Sequence, residues 1–127
     1  ARCGLLDFQD ALRGPTAYDF VSLVEDARRD VADGLRAAAR ARYLAAFPAL
    51  DAAAFDAACA VLGAQRHAKV IGIFTRLHRR DGKAQYLAHI PRVWRLLERA
   101  LLHAALAPVR AWFDAQVPAR LRTAPPA

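Results

Sequence analysis

The sequence predicts a mainly α-helical chain with one short strand, or the remnant of a hairpin, near its start. Two observations predict the helices and a third the strand. Hydrophobic residues make up 56% of the 127 residues, and much of that share is alanine, the strongest intrinsic helix former. Apolar side chains recur at helical spacing along most of the chain, with small polar residues, aspartates and prolines at the breaks. The strand is Cys3 to Phe8 (Cys-Gly-Leu-Leu-Asp-Phe), an apolar run too short for a helix that ends in acidic and turn-forming positions.

After a loop through Asp10, Gly14 and Pro15, a first helix opens at Pro15 or Thr16. There Tyr18, Val21, Ser22 and Glu25 alternate with Phe20, Leu23 and Val24, and the helix is expected to end near Arg28. Asp30 or Asp33 is placed to cap a second helix, Gly34 to Phe47, with Leu35, Ala39, Tyr43 and Phe47 at helical spacing and Pro48 as its stop. Asp51 is a good N-cap for the longest periodic segment, Ala52 to Arg80, in which Phe55, Cys59, Leu62, Val70, Ile73 and Leu77 repeat on one face. Asp81-Gly82 supplies the turn.

A short helical turn over Ala84 to His89 is expected to break before Pro91, because a residue that precedes proline is pushed away from the α region. A further helix then runs from Arg92 to about Leu106, burying Trp94, Leu97, Leu101 and Ala105, and Pro108 starts a last one holding Trp112 and Phe113. The expected organisation is one helical domain over residues 1–117 and a loose tail over 118–127 that ends Ala-Pro-Pro-Ala.

The formal net charge is +7, and Lys69 and Lys83 are the only lysines, so the excess is arginine. Such a chain favours anionic partners, but nucleic acid, nucleotides and sugar acids fit that balance alike, so charge alone does not support a nucleic-acid role. Cys3 and Cys59 lie far apart without metal-ligand spacing, which reads as reduced, structural thiols. Charges interrupt every apolar run well short of the ~18 residues of a membrane span, and the cytoplasm is the expected location.

Leu5-Leu6-Asp7-Phe8-Gln9-Asp10-Ala11, followed by Gly14-Pro15-Thr16-Ala17-Tyr18-Asp19, delivers one carboxylate to a strand end. Together with Gln65-Arg66, Gly72-Ile73-Phe74-Thr75-Arg76-Leu77, Arg80-Asp81-Gly82-Lys83 and Tyr86-Leu87, this pattern resembles small-molecule kinases of the aminoglycoside-phosphotransferase-like and choline-kinase-like group. Within that group it is most similar to the branch that phosphorylates the cell-wall amino sugars N-acetylmuramate and N-acetylglucosamine at C1. The likeness runs from residue 3 to about residue 98 and concerns the second half of such an enzyme.

The resemblance implies the helical C-terminal lobe of a protein-kinase-like fold, with ATP and Mg²⁺ as cofactors of the complete enzyme and a sugar as acceptor. It makes Asp7 the metal ligand, since a hard cation takes oxygen ligands and a strand end fixes one carboxylate against the nucleotide phosphates. Asp10 adds a second carboxylate or only caps the turn. Asp19 resembles the buried helix-start aspartate that supports the catalytic loop by accepting bonds from its backbone. Such a loop carries His-x-Asp, yet none of the four histidines is followed two residues later by aspartate. The nucleotide lobe and that loop are therefore expected to precede Ala1. By itself the chain is expected to bind neither cofactor tightly and to be inactive.

Gln65, Lys69, Gly72 and Arg76 fall at i, i+4, i+7 and i+11 and line one helix face, with Gly72 as a notch between polar groups. That stripe faces either a sugar or simply solvent, with Gly72 then admitting a neighbouring helix. Arg66 lies on the apolar side, to snorkel or meet an acid such as Asp26, and is kept with Gln65, Lys69 and Arg76 as a substrate candidate. His67 and His78 stand ~16 Å apart along the helix, too far to share a metal, and both read as structural. A strand parted from its sheet also predicts self-association through Cys3 to Phe8. The rival reading is a self-sufficient arginine-rich helical module that binds an acidic protein or nucleic acid.

Overall fold

The computed structural model describes residues 13–126, and the expected strand with Asp7 and Asp10 lies outside them. Among the described residues the chain is mainly α-helical and contains no strand. Five α-helices follow one another: α1 Ala17–Val24, α2 Asp33–Ala46, α3 Ala52–Asp81, α4 Ile90–Leu101 and α5 Ala107–Gln116. Short 3₁₀ turns over Ala84–His89, Ala104–Leu106 and Ala119–Leu121 connect or follow them.

The spine is α3. Asp51 caps it as its sequence predicts, accepting the Ala54 backbone N–H at 2.6 Å, and Gly82 ends it in the left-handed conformation at φ 66°. The backbone N–H groups of Gly82 and Lys83 donate to the His78 and Leu77 carbonyls, which satisfies the helix end. Thirty residues of helix span ~45 Å, long enough to support a separate core at each half.

Near its start, Phe55 packs with Ala17, Phe20 and Val24 of α1, and Tyr43 and Leu44 of α2 close over them. Tyr43 stacks on Phe55 with ring centroids 5.1 Å apart. Toward its end, Phe74 packs with Leu87 and with Ile90, Val93, Trp94, Leu97 and Leu101 of α4, and Leu106 completes the cluster. No side chain of α2 is buried; besides Tyr43 and Leu44 it is tied down by Arg40, which donates to both carboxylate oxygens of Asp56 at 2.6 Å.

Four boundaries differ from their sequence-based expectation, each for a local reason. α1 ends at Val24, not Arg28, because the Asp26 carboxylate accepts the Arg28 backbone N–H at 2.7 Å and makes a turn that competes with helix. α2 has no side-chain cap: Ala32 precedes it, the Asp33 carboxylate pairs with Arg36 within the first turn, and Asp30 is held by Arg92. α4 begins at Ile90, which is α-helical although it precedes proline, since Pro91 falls in the first turn where its missing N–H is not needed and Ile90 is fully buried. It ends at Leu101, so Leu106 fills the place expected of Ala105, which is exposed.

Trp94 is buried as expected, whereas Trp112 is 57% exposed and meets Phe113 edge-on. The segment expected to be loose carries an anchor. Arg122 donates to the Val117 carbonyl, to Glu98 and to Asp114 at 2.8, 3.2 and 2.6 Å, which joins residues 118–126 to α4 and α5.

Candidate functional site

Two polar regions stand out on this scaffold: an exposed stripe along α3 and a buried cluster where α1, α3 and α4 meet. The stripe is the one the sequence predicts, with Gln65, Lys69, Gly72 and Arg76 all exposed along one face. A side chain built at Gly72 would meet no atom within 4 Å, so no described helix packs into the notch. The four positions extend over ~16 Å of helix.

Arg66 is half-buried and does not reach Asp26. Its guanidinium lies over the Tyr18 ring, 5.9 Å from the centroid, with one amino group 3.5 Å from the Tyr18 hydroxyl. Arg66 is thus engaged with α1, whereas Gln65, Lys69 and Arg76 are exposed. Asp19 is exposed in the first turn of α1, not buried as the resemblance implies, because no described residue covers its side chain.

The buried cluster centres on Glu25, the residue that closes α1. His67 of α3 is completely buried, and its Nε2 lies 2.7 Å from Glu25 Oε2. On the other carboxylate oxygen, Arg99 of α4 donates at 3.0 Å and Arg36 of α2 stands at 4.0 Å. Gly63 eases the approach, because a β-carbon there would lie 3.3 Å from Glu25 Oε2, tighter than an ordinary contact. His67 Nδ1 has no partner among the described residues. Cavities of about 90, 450 and 340 Å³ open beside this carboxylate, on the α4, Cys59 and α2 sides respectively.

Burial pushes the Glu25 carboxyl up and is the largest single influence, yet the hydrogen bond and attraction of His67, joined by those of Arg99, outweigh it and hold the group below its ordinary 4.5. The folded chain thus binds fewer protons here than the unfolded chain. The stabilisation is complete above about 4.5 and is lost as pH falls through the lower folded value. Thermal unfolding midpoints are expected to fall more steeply from about pH 5 to about pH 4 in the wild type than in Glu25→Gln, and equal slopes would remove this group as a source of acid sensitivity. Beside the cluster, burial pushes the Cys59 thiol up to about 11, with Asp56 and Glu25 adding to the effect, so Cys59 is a poor nucleophile.

From its spacing alone His67 reads as structural and Glu25 as one more polar helix position. The signal that could have joined them is Gly63 one turn before His67, a small residue beside a polar one on the same face of a long helix. Among the described residues no three or more His, Cys, Asp or Glu side chains form a metal-binding group, and no helix is long and apolar enough to cross a membrane.

The sequence pattern resembles one class, the phosphotransferases, and comparison with known proteins bears this resemblance out. Residues 1–55 match the phosphotransferase enzyme family, APH. More particularly, the chain is 48% identical over 122 residues to the N-acetylmuramate/N-acetylglucosamine kinase of Caulobacter vibrioides, an alignment covering 96% of this chain and 34% of that protein. The kinase of the same name from Pseudomonas aeruginosa is 44% identical over 106 residues, covering 77% of this chain and 31% of its own length. That of Neisseria meningitidis serogroup B is 44% identical over 119 residues, covering 87% and 35%. The chain spans about a third of the length of these relatives, and over that third it is similar to a kinase of the aminoglycoside-phosphotransferase-like group.

Proposed function

We propose that this chain serves as the helical, acceptor-side part of an ATP-dependent kinase that phosphorylates N-acetylmuramate or N-acetylglucosamine at the C1 hydroxyl. The observation that carries the reading is the 48% identity to such a kinase across 96% of the chain. Asp7 is the proposed Mg²⁺ ligand, with Asp10 as a second carboxylate or a turn cap. The metal supplies charge neutralisation at the transferred phosphoryl group when bound. Gln65, Lys69 and Arg76 offer the sugar hydrogen-bond donors from one rigid helix face, and Arg66, pinned on Tyr18, acts by holding α1 against that helix. Asp19 supports the catalytic loop of the longer enzyme.

Phosphoryl transfer depends on holding nucleotide, metal and acceptor together, and a His-x-Asp base is absent from these 127 residues. The chain alone is therefore expected to show no sugar-dependent ADP release, and release above a sugar-free blank would overturn that expectation. The positive test joins the first two thirds of the Caulobacter relative to this chain in place of its similar third. The chimera is expected to release ADP with either amino sugar, and Asp7→Asn within it to lose about 100-fold or more in kcat, since a bound metal supplies several kcal/mol of transition-state stabilisation. A folded but inactive chimera would sink the reading. Against the rival arginine-rich module stands the use of the arginines themselves: Arg40, Arg92, Arg99 and Arg122 are spent on carboxylates of other segments.

A further inference from the structure

A partly open polar pocket between residues 25–31, α2 and α4 is not used by the proposed kinase chemistry. Its volume is about 90 Å³, room for a few waters or a small ion and far below the ~300 Å³ or more of a typical small-molecule site. Five guanidinium groups, those of Arg29, Arg36, Arg92, Arg95 and Arg99, face three carboxylates, those of Glu25, Asp26 and Asp30. Counting the exposed Asp33 at the rim, beside Arg36 and Arg99, still leaves one positive charge without a counterion.

The donors are unevenly committed. Arg92 gives two N–H groups to Asp30, each at 2.8 Å, and Arg29 pairs with Asp26 at 3.3 Å. Arg99 donates one amino group to Glu25. Arg95 donates no hydrogen bond to any described residue, and its nearest acid, Asp30, is 3.9 Å away. Glu25 is itself fixed by completely buried His67, so the floor of the cavity cannot swing out to neutralise Arg95. A concave site with a fixed floor at Glu25, an excess of guanidinium N–H donors and Arg95 at its solvent-facing rim, 65% exposed, is matched by a small oxyanion, which accepts several charge-assisted hydrogen bonds at once.

We propose that this cavity binds a single oxyanion group, a phosphate or a carboxylate, through Arg95 and the uncommitted N–H groups of Arg99. The site is built from described residues alone and does not depend on the kinase reading. The test titrates inorganic phosphate, and separately acetate, into the 127-residue chain at constant ionic strength held with chloride, following the arginine Nε–H resonances by NMR. The Arg95 and Arg99 signals are expected to shift saturably. Arg95→Ala is expected to weaken binding about 10-fold, in keeping with a charged hydrogen bond, while Arg110→Ala, which removes an equal charge on α5, leaves it unchanged. Tighter binding of phosphate assigns a phosphate site and tighter binding of acetate a carboxylate site. Shifts that chloride reproduces, or equal loss in the two variants, would reduce the cavity to a charged surface and overturn the proposal.

Discussion

Leu97→Ala is expected to lower the stability of the chain by about 3–5 kcal/mol, the range of leucine truncations in cores that cannot collapse around the gap. Leu97 is fully buried within the cluster that joins α4 to α3. Its surroundings have little freedom to fill the space. Val93 and Ile90 are equally buried, Trp94 is wedged against Phe113, and Phe74 is held between Tyr86 and His89. For a domain of this size such a loss lowers the thermal midpoint by about 10 °C or more. Leu102, 67% exposed at the end of the same helix, is the internal control, and its alanine variant should stay within about 0.5 kcal/mol of wild type. Urea unfolding of both variants measures the difference. A cost below about 1 kcal/mol at position 97 would mean that α4 is not packed on α3 as described.

Glu25→Ala is expected to cost about 3 kcal/mol, because it breaks a buried polar pair from one side only. The His67 side chain is 1% exposed and would lose the partner of Nε2, while Nδ1 has no partner among the described residues. The lower end of the range for such losses applies. Arg99 is 39% exposed on its side chain and water can solvate it once the carboxylate is gone. Glu25→Gln keeps an acceptor toward His67 and should cost less than half as much, which separates the buried hydrogen bond from the charge. Chemical unfolding at neutral pH measures both variants. If alanine and glutamine prove equivalent, the His67 contact contributes nothing and the cluster is held by packing alone.

Much of the architecture was legible because it rests on local chemistry. Asp51, with its three following alanine-rich positions and Phe55, announces the start of α3, and Asp81-Gly82 announces its end; capping and left-handed glycine act over a few residues, so the sequence contains the whole cause. The exposed stripe of Gln65, Lys69, Gly72 and Arg76 was legible for the same reason, since helical geometry alone puts these positions on one face. The end of α1 was not legible from periodicity, because apolar spacing continues past Val24 while the turn at Asp26 depends on one carboxylate choosing a backbone N–H. The start of α4 was misplaced because the general restriction on residues before proline yields when burial of that residue favours the helix, as it does at Ile90.

Partners across the chain were harder still. Nothing in the spacing says that Asp30 reaches Arg92, that Arg66 lies on Tyr18 and not near Asp26, or that Arg122 gathers Glu98 and Asp114. The sequence by itself determined that the chain is helical, where its longest helix begins and ends, which face of it is polar, and which kinases it resembles, because propensity, capping and motif order are properties of neighbouring residues. Only the tertiary structure decided that Glu25, His67, Arg36 and Arg99, drawn from four separate stretches of chain, meet in one partly buried network beside a basic cavity. The physical reason is that the cost of burying charge is met by partners distant in sequence, and their meeting depends on how the helices dock, which no local rule contains.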